Sequence, residues 1–208
     1  MEIEPRWIGW ARRLQAISQN GLTFAQNPYD IERYQAVRQI AAEMMASGSG
    51  TDLERVLEWL SSEQGYATPK VDVRGTIFRD DTVLLVRERS DNRWTLPGGW
   101  ADVGESPRES VVREVYEESG FQTTAVKLLA VYDRSKHPHY PLFPYHVYKM
   151  FFLCDITGGE AKGSMETTEV AFFRRNELPE LSTSRVTPAQ IEQLFEHQAH
   201  PEWQTDFD

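Results

Sequence analysis

Residues Gly99–Phe121 read G-W-A-D-V-G-E-S-P-R-E-S-V-V-R-E-V-Y-E-E-S-G-F, a run in which five glutamates surround one helix-forming segment. Ser106 followed by Pro107 is a helix-start signal, and Arg108 to Ser119 contains neither glycine nor proline. On that helix Glu114, Glu117 and Glu118 fall at i, i+3 and i+4, so three carboxylates share one face within about a turn. Like charges so placed repel by about 0.2–0.5 kcal/mol per pair, and a cation is the natural compensating element. Clustered hard oxygens select Mg²⁺ or Mn²⁺, and magnesium keeps positions for water and phosphate oxygens, so a diphosphate would complete the site. Gly120 supplies a C-cap for the helix. Pro97, Gly98 and Gly99 let the backbone before it turn sharply and approach a ligand.

The same run matches, without departure, the signature of the Nudix hydrolases: Gly99, five residues, Glu105, seven residues, Arg113-Glu114, aliphatic Val115, any residue, Glu117-Glu118, any residue, Gly120 and hydrophobic Phe121. The resemblance implies that the Gly98 carbonyl, Glu117 and Glu118 bind metal and that Arg113 pairs with Glu105 to fix the loop. Gly99 and Gly120 take structural places, and Glu114 is either a ligand or a base. The fold implied is an α+β one, a Nudix α/β/α sandwich with a mixed sheet.

A chain of 208 residues with 40% hydrophobic content can bury a sizeable core but is long for one domain, so two are expected. Its one cysteine, Cys154, lies in an apolar strand-like run; this excludes an internal disulfide and fits a reducing compartment. Charges at Glu2, Glu4, Arg6, Arg12 and Arg13 interrupt the apolar Trp7, Ile8 and Trp10, which argues against a signal peptide. No stretch reaches about 18 apolar residues, and a cytoplasmic protein away from membranes is expected. At a formal charge of -10 a phosphate-bearing substrate is repelled unless a cation or a local basic patch intervenes.

Residues 1–67 read as a small all-α domain. Trp7, Trp10, Ala11, Leu14 and Ile17 recur at helical spacing until Gly21 interrupts, and Asn27-Pro28 opens a second helix with a stripe from Ile31 to Met45. Ser47-Gly48-Ser49-Gly50 reads as a flexible break, and Thr51 with Glu54 as a capping box for a third helix ending at Gly65. Three short helices bury little on their own, so the unit is expected to lean on the catalytic domain or on another subunit, and a homodimer is the expectation. Residues 68–208 change to strand patterns at Lys70–Arg74, Thr82–Val86, Ala125–Tyr132, His146–Ile156 and Val170–Phe173, with a closing helix from Thr187-Pro188.

Substrate choice must come from outside the box. The stretch from Tyr132 through Arg134, Lys136, His137 and His139 to Tyr145 is dense in rings and cations suited to bases, phosphates or a choline-like head group. An ordinary proline-rich hairpin has the same composition. Arg74 is a further substrate-binding candidate. Glu166 and Glu169, just before the last strand, are each candidates for an additional acid or the general base. Beyond the box, Trp7-Ile8-Gly9-Trp10, the run Gly65–Arg74, the run Trp94–Glu105 and Val131–Arg134 resemble the CDP-choline pyrophosphatase group of bacterial Nudix proteins. That resemblance implies a homodimer cleaving CDP-choline to CMP and phosphocholine, with some activity on RNA ends. ADP-ribose or a nucleotide sugar is the alternative substrate. A nucleotide-sensing regulator whose N-terminal helices contact DNA or protein is a reading from another class. Residues 1–68, with nine acids against six arginines and no lysine, are unfavourable for DNA.

Overall fold

The computed structural model describes residues 4–208; Glu2, counted above among the N-terminal charges, lies outside them. The chain divides into two units. The first comprises the residues up to Pro69 together with Leu142–His146, and the second comprises Lys70–Pro141 and Val147–Asp208.

In the first unit three helices follow in order: α1 (Arg6–Phe24), α2 (Pro28–Ser49) and α3 (Leu53–Ser62). The face of α1 that is buried differs from the expected stripe: Ile8, Ala11, Gln15, Ser18 and Gln19 are inside, whereas Trp10 and Ile17 are exposed. Side-chain hydrogen bonds explain the polar members. Gln15 Nε2 donates to Leu60 O (3.0 Å), Ser18 Oγ to Tyr34 O (2.6 Å) and Gln19 Nε2 to Gly65 O (3.1 Å), so these groups link α1 to its neighbours rather than to water. Gly21 does not end α1. It makes room for the Tyr34 ring, whose Cε1 would lie 2.3 Å from a Cβ placed there. Gly48 likewise lies under Trp7, so the expected break is helix to Ser49, and Gly50 caps it at φ 69°. Asn27 caps α2 as read from the sequence, but α3 is capped by Asp52, which accepts from Glu54 N (2.9 Å), and not by Thr51. The segment Leu142–His146 is hooked onto this unit: Arg12 Nε donates to Phe143 O (3.0 Å), and the Tyr145 hydroxyl donates to Trp59 O (3.4 Å).

The second unit contains β1 (Lys70–Thr76), β2 (Phe78–Arg79), β3 (Thr82–Glu88), β4 (Trp94–Thr95), α4 (Pro107–Ser119), β5 (Phe121–Asp133), a 3₁₀ turn at Arg134–Lys136, β6 (Val147–Gly159), β7 (Thr167–Arg174), α5 (Pro188–Ala199) and β8 (Asp206–Phe207). One sheet has the order β1-β6-β5-β8, with β1–β6 and β5–β8 parallel and β5–β6 antiparallel. In the other, antiparallel sheet, β3 pairs with β2, β4 and β7. Along β3, Val83 and Leu85 join the apolar cluster containing Ile191, Leu194 and Phe195 of α5, while Leu84 joins the one containing Val111 and Val115 of α4. The two-residue period of a strand thus sends alternate side chains toward opposite helices, which is the sandwich the sequence implies. No helix among the described residues is long and apolar enough to cross a membrane.

Candidate active site

The loop before α4 runs alongside β1. Val73 N donates to Gly99 O (2.8 Å), Gly75 N to Pro97 O (2.8 Å), and Ala101 N to Val71 O (3.0 Å). Gly98 lies between these bonds at φ 141°, where a Cβ would come within 2.1 Å of Val73 O. No side chain fits there. Its N–H is directed instead to Glu118 Oε2, at 2.9 Å. The helix that delivers Glu118 starts at a capping box, Ser106 with Glu109, and ends at Gly120 with φ 76°.

Glu118 is 5% exposed. Burial pushes its carboxyl up to about 8, against the pull of Arg74 and of the Gly98 N–H. Glu114 is also raised, by burial first, and its carboxylate lies against Gly99, where a Cβ would be 2.9 Å from Oε2. Glu117 is exposed. Arg113 organises the acids: Nε donates to Glu105 Oε1 (3.0 Å), and NH1 donates to Glu114 Oε1 and Glu117 Oε2 (both 2.9 Å). Among the described residues, no three acid, histidine or cysteine side chains stand as a ready ligand set. The donors of this region are nevertheless all hard oxygens, a donor set that fits Mg²⁺ or Mn²⁺.

Behind the loop is a charge network that the sequence reading missed apart from Arg74. Asp72 Oδ1 accepts from Arg74 Nε (2.9 Å) and Lys149 Nζ (2.5 Å), and Asp72 Oδ2 from Arg74 NH2 (2.6 Å). All three are buried. Burial alone would raise the Asp72 carboxyl, but Arg74 and Lys149 overcome it and hold it low, while burial lowers Lys149. The signals were an Asp-x-Arg pair on one strand face and a lone lysine within an apolar strand. Glu88, at the end of β3, is buried against Arg185 Nε (3.0 Å).

Thr167 Oγ1 donates to Glu118 O (2.6 Å), which fixes the loop carrying Glu166 to the end of α4. Glu169 is committed elsewhere, to Arg87 NH1 at 2.6 Å. The aromatic and basic stretch forms a second group. Tyr132 is in the core with its hydroxyl donating to Asp206 Oδ2 (2.5 Å), and the buried Arg134 donates to Pro141 O (2.9 Å). His137 Nε2 is 3.2 Å from Asp208 Oδ1, and Lys136 is exposed. Tyr145 belongs to the helical unit.

A family model described as the NUDIX domain matches residues 68–195. The chain belongs to the NUDIX family. A second model, described as a UDP-X-like, N-terminal oligomerisation domain, matches residues 5–60. The putative ADP-ribose pyrophosphatase YjhB of Bacillus subtilis (strain 168) is 46% identical over 208 residues, the full length of both chains. Among solved structures, a UDP-X diphosphatase is 35% identical with a TM-score of 0.63 over the whole of both chains. An ADP-ribose pyrophosphatase from Streptococcus suis 89-1591 is 38% identical with a TM-score of 0.61, covering 68% of this chain and all of the other. The protein is thus a Nudix hydrolase, of the pyrophosphatase kind, with a helical N-terminal region.

Proposed function

We propose that this Nudix hydrolase cleaves the pyrophosphate bond of a nucleoside diphosphate linked to another moiety, with Mg²⁺ or Mn²⁺ as cofactor. The observation that carries the reading is Glu118, a buried carboxyl directed at the Gly98 backbone from the end of the helix that carries the family signature. Bound there, the metal would neutralise the phosphates and stabilise charge as water attacks phosphorus. Gly98, Glu117 and Glu118 supply its oxygens, and Glu114 is a further ligand or a base. Arg113, anchored on Glu105, keeps Glu114 and Glu117 gathered on one side of the helix. Glu166 is favoured over Glu169 to orient the water, because Thr167 ties its loop to α4 while Arg87 occupies Glu169.

ADP-ribose and UDP-linked compounds are the first substrates to test, on the names of relatives that match this chain over its length. CDP-choline is the second reading, supported by the motifs outside the box. The match of residues 5–60 to an oligomerisation domain supports assembly with a second copy of the chain. The test is product analysis with ADP-ribose, UDP-sugars and CDP-choline, with Mg²⁺, with Mn²⁺ and without metal. AMP from ADP-ribose is the expected result; CMP from CDP-choline alone would move the assignment to the second reading. Glu118→Gln should cut turnover by orders of magnitude while the protein stays folded, and a variant as active as the wild type would overturn the metal assignment.

A further inference from the structure

The parallel pairing of β1 with β6 sets Asp72 opposite Lys149, and the two-residue period of β1 puts Arg74 on the same face as Asp72. Three full charges are thereby enclosed, with Lys149 only 2% exposed. Apolar replacements of such buried ion groups are often neutral or stabilising, so fold stability is a weak reason for their presence. Their geometry gives a better one.

Arg74 NH1 donates to Leu96 O (3.1 Å), the carbonyl that leads into Pro97 and Gly98. Its Nε and NH2 are both spent on Asp72, which fixes the plane of the guanidinium. With Arg74 as its only partner, Asp72 would be free to turn and carry that plane with it. Lys149, reaching Asp72 from the neighbouring strand, removes this freedom. At the other end of the chain of bonds, the Gly98 N–H rests on Glu118.

We infer that Lys149 and Asp72 are positioning residues for the hydrolysis: they set Arg74, and through Leu96 they set the Gly98 backbone against Glu118. Both are buried, so they act through Arg74. The effect on rate rests on the proposed pyrophosphatase reading; the effect on the loop does not.

The test uses the full-length chain, with Lys149→Met, Asp72→Asn and the double variant, and Lys149→Arg as the conservative control. Each single change should lower kcat by about ten- to a hundredfold and move KM by less than about threefold. The double variant should fall no further than the worse single one, because the residues act in series. Lys149→Arg should recover part of the rate. Mn²⁺ binding, read by titration, should weaken about tenfold, and amide exchange should quicken at Leu96, Gly98 and Gly99 while β5 and β6 stay protected. Wild-type kcat in both single variants, losses that multiply in the double variant, or exchange that quickens equally everywhere would overturn the inference. Should the wild type turn over no substrate, the pyrophosphatase reading fails, and local against absent quickening at the loop still decides this one. If Lys149→Met does not fold, Asp72→Asn and Lys149→Arg are read in its place.

Discussion

The Gly98 N–H meets Glu118 Oε2 at 2.9 Å, joining the glycine loop to the last turn of the acid-bearing helix. Its neighbours divide the work between backbone and side chain. At Gly98 a Cβ would strike the Val73 carbonyl at 2.1 Å, whereas at Gly99 the nearest atom would be the Glu114 carboxylate, the far end of a side chain, at 2.9 Å. Gly98→Ala should therefore destabilise the fold by at least about 2 kcal/mol and abolish turnover. Gly99→Ala should cost under about 1 kcal/mol yet slow turnover at least tenfold, because it displaces Glu114. Urea unfolding beside steady-state kinetics separates the two, and equal stability losses would contradict this division.

Glu166, just before β7, and Glu169, within it, should part company. Glu166→Gln is expected to lower kcat about a hundredfold, within the range of a lost general base. Glu169→Gln, which removes an exposed pair with Arg87, should leave kcat within about threefold. The reverse order would transfer the role to Glu169.

Metal should stabilise the wild type. Saturation at a hundred times Kd adds about 2.7 kcal/mol. Melting curves with Mg²⁺ or Mn²⁺ and with a chelator should show this increment in the wild type and little of it in Glu118→Gln. An unchanged increment would remove Glu118 from the ligand set.

His139 predicts an acid-side effect on stability. Its Nδ1 donates to Thr183 O (2.9 Å), and its Nε2 lies 3.3 Å from Gln190 Nε2, an arrangement that suits the neutral ring. Burial, then Lys149 and Arg134, lowers it to about 3 from an ordinary value near 6.5. A folded-state value below the unfolded one means that the unfolded chain binds the proton first. The associated stability is present above about pH 6.5 and is lost as pH falls toward 3. In His139→Gln the decline of unfolding free energy across that window should be shallower by on the order of 3 kcal/mol. Parallel slopes for variant and wild type would refute the assignment.

The parts of the molecule most legible in its sequence were those governed by local rules. The Ser106 and Gly120 caps, the run without breakers between them, the alternation along β1 and the apolar run of β3 each express a short-range preference, and each element formed. Glycines misled where tertiary neighbours decided their meaning. Gly21 and Gly48 read as breaks but serve the rings of Tyr34 and Trp7 within continuous helices. The exposed Trp10 and Ile17 failed for a related reason, since Gln15, Ser18 and Gln19 took the inner face by bonding to backbone carbonyls distant in sequence. At the site, the acids of α4 were visible because they share one helix. The Asp72–Lys149 pair was not, because it depends on the register of two strands separated by most of the domain. Tyr132 looked like a stacking surface, yet only the sheet shows its ring in the core and its hydroxyl given to Asp206.

The hook at Leu142–His146 decides where the chain can be cut. Counting along the chain, the path passes from one unit to the other after Pro69, after Pro141 and again after His146. A helical appendage gained by simple end-to-end fusion leaves a single seam, and a single cut removes it. Here a connection between β5 and β6 belongs with the helices, so the boundary between the two units crosses the chain at three points and no single cut follows it. A truncation beginning at Lys70 would leave Phe143 and Tyr145 without Arg12 and Trp59, exposing a segment shaped for a partner it no longer has.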